Sequence, residues 1–215
     1  MKHTFKKASV LLLAAVLLLA SMLTACQSEP PALADVRDEF ITLIEASYAI
    51  NDIFFGEGLP SHDRDGEYAK ESNMYYSLVG YDAYEYVAEN SPFFFVEDIR
   101  DAAAAVYSEV YLEDISTMAF TGYADADSGV VTTARYLEVD GVLLKYAYGD
   151  TDSFNILPGH RRYDFSTMEM VEPSFGDSVN IRLDSYLLEE PDTIRSITLR
   201  FVLEKDGWRL DTPTY

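Results

Sequence analysis

Histidine, cysteine and closely spaced acids most often carry catalysis or metal binding, and this chain holds few in useful company. Of three histidines in 215 residues, only His62 and His160 lie beyond the first 25, both in stretches that read as loop. A Ser-His-Asp arrangement could be composed from Ser61 or Ser153, yet no G-x-S-x-G elbow is present to hold a strained nucleophile. Asp63, Asp65 and Glu67 alternate beside His62, and Asp125 and Asp127 form a second acidic pair. A calcium loop of the EF-hand kind needs glycine at position 6 and glutamate at position 12. Counting from Asp63, glycine falls at position 4 and Met74 at position 12; counting from Asp125, Gly129 is position 5 and Tyr136 position 12. Neither loop fits, so these acids read as solvated loop, with adventitious calcium binding left open. Pro158-Gly159-His160-Arg161-Arg162 is the one compact basic spot, either a receiver for an anion or a charge-balancing turn. With 37 acids, a glycosidase-like carboxylate pair could meet in space, but abundance is not a motif. The expectation is a protein with no catalytic residue, no cofactor and no metal.

The single cysteine, Cys26, has a different role. Lys2, Lys6 and Lys7 precede an uncharged apolar run from Ala8 to Leu23, which is short for a bilayer-spanning helix and has the flank of a secretory leader. The run ends Leu23-Thr24-Ala25-Cys26, which resembles the lipobox of bacterial lipoproteins. That resemblance implies removal of residues 1–25, acylation of Cys26 with diacylglyceryl and palmitate, and attachment to the outer face of the cell membrane. Two or more acyl chains give stable rather than marginal anchoring. A lipidated Cys26 leaves no thiol for a disulfide or a nucleophile. Residues 26–32 then read as a lipidated tether and 33–215 as one domain.

Charge narrows the partners. The chain carries 16 basic and 37 acidic side chains; without residues 1–25, 13 basic residues face the same 37 acids, a formal charge of -24. Such a surface repels nucleic acid, so no nucleic-acid partner is expected. Sixteen tyrosines are the other oddity, with Tyr75, Tyr76, Tyr81, Tyr84 and Tyr86 in one stretch. They suit a binding surface or half-buried packing at sheet edges.

These residues must be positioned by helices and a sheet. Val36, Phe40, Leu43, Ile44, Ser47 and Tyr48 recur at spacings of three and four, which predicts a helix ended by Gly56, Gly58 and Pro60. Ser61 to Asn73 reads as loop, Met74 to Val79 as a strand, and 81–89 as a short helix or irregular segment. A second helix carries Glu97, Asp98 and Asp101 in its first turns and Val96, Ile99, Ala103, Val106 and Tyr107 on its apolar face. Ser108 caps a third, through about Met118. Strands follow: Val130 to Val139, then Val142 to Tyr148 across an Asp140-Gly141 hairpin turn, then Tyr163 to Val171, Val179 to Leu187 and Ile194 to Glu204. Asp206-Gly207 turns into a short closing strand at Trp208-Arg209-Leu210. Helices first and an antiparallel meander second predict an α+β fold, with N-terminal helices packed on a curved sheet.

The closing segment, Lys205-Asp206-Gly207-Trp208-Arg209-Leu210-Asp211-Thr212-Pro213-Thr214-Tyr215, resembles the last hairpin of cystatin-like folds, which implies a helix lying in a curved sheet, in one or two lobes. Together with Tyr75-Tyr76-Ser77-Leu78-Val79, the helix near Val96, Val106-Tyr107-Ser108 and Tyr136-Leu137-Glu138-Val139-Asp140-Gly141, it resembles the IseA family of secreted inhibitors of peptidoglycan DL-endopeptidases. The resemblance implies a non-catalytic inhibitor that docks on a cell-wall hydrolase; no inhibitory residue is carried over from it. The alternatives are a small-ligand protein or enzyme with a pocket between helix and curved sheet, and a scaffold for envelope assembly.

Overall fold

The computed structural model describes residues 28–62, 84–124, 131–147 and 160–215. The fold is α+β. Helix α1 runs Leu33–Phe55 and buries Val36, Phe40, Leu43, Ile44 and Ser47 on the stripe read from spacing. It ends where Gly56 donates back to the Asp52 carbonyl. Helix α2 is Val96–Ala104 and α3 is Glu109–Phe120, the latter capped by Ser108, whose hydroxyl accepts from the Tyr111 amide at 3.1 Å.

The strands fall into two four-stranded antiparallel sheets and one ribbon. The first sheet has the order β1-β2-β6-β5, from Ser61–His62, Tyr84–Val87, Val142–Tyr146 and Tyr136–Val139. Strands β3 (Tyr123–Ala124) and β4 (Val131–Thr132) pair as a ribbon. The second sheet is a plain meander, β10-β9-β8-β7, from Gly207–Leu210, Glu190–Glu204, Ser178–Leu187 and Arg161–Phe175. Helix α1 packs on β10 and β7 of this sheet. Phe40 stacks on Phe201 with ring centroids 4.0 Å apart and meets Trp208 edge-on at 5.3 Å. Val179, Ile181 and Leu183 alternate inward from β8, as the period of two requires.

A buried polar cluster ties residues 211–215 across α1. Thr214 Oγ1 lies 2.6 Å from the Ser47 hydroxyl and accepts from Asn51 Nδ2 at 2.8 Å. The Tyr107 hydroxyl donates to Asn51 Oδ1 at 2.7 Å, and the Tyr163 hydroxyl to the Thr214 carbonyl at 2.8 Å. Every group here has a partner, which offsets the cost of taking it out of water. Burial pushes the Tyr107 phenol up to about 12.

Four expectations need correcting. Ser61 and His62, read as the start of a loop, form β1 because they pair with Val87 and Tyr86. Within 81–89, Tyr84–Val87 is a strand rather than helix or irregular chain, because it pairs with β6 some 60 residues away. The span 130–139 is two strands: between them the Ala134 carbonyl turns aside to accept from the Tyr84 hydroxyl at 2.7 Å, and Arg135 reaches the end of α1. Val106 and Tyr107 are buried but lie past α2; Tyr107 bridges to Leu210 instead. The proposed strand 74–79 lies outside the described residues.

The Asp140-Gly141 hairpin is as read. Both residues have positive φ, 52° and 77°, and Val139 pairs with Val142 across them. This is the turn that matches strand twist, and a β-branched residue at either position would be strained.

Candidate functional site: an apolar shelf with an acidic rim

Most residues singled out for chemistry either lie outside the described residues or are engaged in the fold. Cys26, Asp63, Asp65, Glu67, Asp125, Asp127, Ser153, Pro158, Gly159, Tyr75, Tyr76 and Tyr81 are in the former group. His62 sits in β1 opposite Tyr86, while His160 immediately precedes β7 of the second sheet, so the two are placed by different sheets. His160 Nδ1 contacts Glu189, and that hydrogen bond holds the exposed Glu189 carboxyl below its usual range. Arg161 donates to the Ser185 hydroxyl at 3.0 Å, and Arg162 lies 4.8 Å over the Tyr48 ring. Arg161 and Arg162 thus lie in β7, with their guanidinium groups engaged by the fold. Tyr84 and Tyr86 are core residues, 6% and 1% exposed. Among the described residues, no group of three or more His, Cys, Asp or Glu is placed to hold a metal.

The surface offers a different feature, just ahead of α2. Phe94 and Phe95 are 56% and 46% exposed. Their backbone is fixed: Asp98 Oδ2, one turn into the helix, accepts from the amides of Phe94 and Phe95 at 3.0 and 2.9 Å. Phe95 occupies the cap position and has no side-chain oxygen for the first helical amides, so only the returning half of a capping box is made, from Asp98 to the amide of the cap residue. The preceding turn is fastened as well, since Ser91 donates to the Ala88 carbonyl and its hydroxyl accepts from the Phe93 amide at 3.2 Å. On the far side Glu138 accepts from the Val96 amide at 3.3 Å.

Between these phenylalanines, the end of β2 and the β5–β6 turn lies an open groove of about 350 Å³. Its walls include Val87, Phe93, Phe94, Phe95, Val142 and Leu143; Glu89 is the only charged residue that lines it. Exposed Glu97, Glu138 and Asp140 neighbour the groove in the chain. Two large aromatic side chains stand in water on a fixed backbone with the Glu89 carboxylate beside them, an arrangement that can bind.

The sheet carrying one wall is anchored to α1. That helix has no basic residue in its last turn. Cations arrive instead from the residue before β5 and from β6: Arg135 Nε donates to the Ile53 carbonyl at 2.8 Å and its guanidinium to the Gly56 carbonyl, while Lys145 Nζ donates to the Leu59 carbonyl at 2.8 Å. The Tyr136 hydroxyl adds a bond to the Ile53 carbonyl at 2.9 Å. Positive charge at a helix C-terminus is favourable, and here it joins two elements far apart in sequence. Burial lowers the Lys145 ammonium.

A second groove, lined by Asp101, Glu109, Glu204 and Arg209 among others, is structural. Glu204 accepts from the Glu109 amide at 2.9 Å and Arg209 donates to the Ala104 carbonyl at 2.6 Å, so its charges close helix ends.

The sequence reading missed Phe93, Phe94 and Phe95 altogether. Their signal was present as three consecutive phenylalanines after Ser91-Pro92, followed after Val96 by two acids. No protein-family model matches this chain, and no curated protein does either.

Proposed function

We propose that the protein is a membrane-anchored extracytoplasmic lipoprotein that acts without catalysis, binding a basic peptidoglycan hydrolase of the DL-endopeptidase kind and inhibiting it. The shelf carries this reading: Phe94 and Phe95 stand in water on a backbone clamped by Asp98. Exposed aromatic clusters are costly to leave in water and serve as anchors at interfaces. Clamping them beforehand removes part of the ordering cost of association. Acids around the shelf and the formal charge of -24 that remains without residues 1–25 favour encounter with a basic partner. The leader and Cys26 supply the location.

The alternative of a ligand chamber between helix and sheet gains less support. That space is filled by Phe40, Ile44, Phe201, Trp208 and Leu210, all 6% exposed or less. The buried polar residues described are serines, Thr214 and Asn51, with no carboxylate among them.

The test is capture from an envelope extract with the full chain as bait, at low and moderate salt, beside the Phe94→Ser/Phe95→Ser variant. A wall hydrolase held by the native chain, released by salt and lost by the variant is the expected result. Equal capture by both chains would remove the shelf from the account, and no hydrolase with either would remove the inhibitor reading.

A further inference from the structure

Residues read as a free tether from sequence touch the fold two positions after Cys26. The Gly176 amide donates to the Ser28 carbonyl at 2.9 Å, in the two-residue turn Gly176-Asp177 that joins β7 to β8. Gly176 is needed there for space: a Cβ would lie 2.7 Å from Ser28 Cβ and 3.2 Å from the Glu29 carbonyl oxygen. Pro30 and Pro31 follow, stiffening the path to α1, which begins at Leu33. Two residues span at most about 7 Å, so little slack separates Ser28 from Cys26.

From this geometry we infer that the β7–β8 turn is the membrane-facing end of the protein and the β8–β9 hairpin its far end, pointing away from the bilayer. The inference rests on the lipid anchor at Cys26. Strand β8 has ten residues between the two ends, a rise of about 33 Å. At the near end the Leu203 amide donates to the Asp177 carbonyl, and Leu203 is 46% exposed beside Lys205 and Asp206. Charge at that end is mixed, so the tether rather than attraction to headgroups sets the orientation. At the far end every residue from Leu188 to Ser196 is exposed, with Leu188 at 50% and Ile194 at 64%. The near face thus meets a lipid surface, and the far hairpin is the part presented to the wall.

The test uses the full lipidated chain in phosphatidylcholine–phosphatidylglycerol vesicles that carry a headgroup acceptor dye. Donor dyes go on Asp177→Cys or Leu188→Cys, both exposed positions; Cys26, the only native cysteine, is blocked by its lipid. Strong transfer from position 177 and weaker transfer from 188 is expected, a difference of up to about 30 Å in donor height. Gly176→Val, which displaces Ser28, should narrow that difference. Equal transfer from both sites, or stronger transfer from 188, would overturn the orientation. The mass of the mature chain tests the anchor separately: an unmodified Cys26 overturns both readings, whereas a lipidated chain with equal transfer overturns only this one.

Discussion

The two four-stranded sheets solve the same packing problem with different means. The β7–β10 sheet has strands of up to 15 residues, and its inward side chains alternate against α1 until Ile181, Leu183, Leu199 and Phe201 are all 1% exposed or less. Among the described residues the β1-β2-β6-β5 sheet has no strand longer than five residues, and Tyr84, Tyr86 and Leu144 form a small separate cluster in it. It is fastened by side chains reaching backbone carbonyls, chiefly Arg135, Tyr136 and Lys145 at the end of α1. The long sheet draws order chiefly from apolar area; the short one gives Tyr136 and Leu143 to the same core and adds directed polar contacts to it. The exposed phenylalanines, Phe94 and Phe95, lie beside the short sheet, where the contacts that fix the backbone do not need them, whereas the long sheet exposes only aliphatics, Leu188, Ile194 and Leu203, among its described large apolar side chains.

The comparison can be broken by mutation. Phe40→Ala removes a ring that is 0% exposed and contacts Phe201 and Trp208, and should cost about 3–5 kcal/mol in urea unfolding. A loss under about 1 kcal/mol would mean the long sheet does not depend on that interface. Next in size is Thr214→Val, which leaves Asn51 and Ser47 short of a partner in a dry site and should cost about 1–3 kcal/mol.

Alkaline pH probes the same region. Burial raises Tyr107 and Tyr48 from an ordinary value near 10 to about 12, so the folded state holds these protons after the unfolded chain has released them. Their contribution is complete below pH 10 and is lost as pH rises to 12. Unfolding midpoints should fall across that window, and a Tyr107→Phe chain should show a shallower fall. The smallest effect is reserved for the shelf. Phe94→Ser/Phe95→Ser should change stability by no more than about 0.5 kcal/mol per site, since neither ring is buried. A large loss would show that the phenylalanines serve the core.

Legibility in the sequence follows the same division. Helix α1 was readable because its apolar stripe has one period throughout, and β8 and β9 because Val179 to Leu183 and Ile197 to Phe201 alternate strictly. The Asp140-Gly141 turn was readable because it is local chemistry. Strand β2 was not, since its register depends on β6, which lies beyond two helices. The shelf was not either. Asp98 was visible as a first-turn acid, but nothing local says that it clamps the amides of Phe94 and Phe95 rather than facing solvent. A run of three phenylalanines reads equally as core until the fold shows which side of α2 it occupies. Ser28 was taken for tether because a contact with Gly176, 148 positions away, leaves no pattern in sequence.

The most direct test of the central claim is digestion of purified peptidoglycan by a DL-endopeptidase, titrated with the native chain and with the Phe94→Ser/Phe95→Ser variant at two salt concentrations. Saturable inhibition by the native chain, weakened by salt and reduced at least tenfold in potency by the variant, is the predicted result. Undiminished digestion at saturating native chain, or equal inhibition by a folded variant, would contradict it.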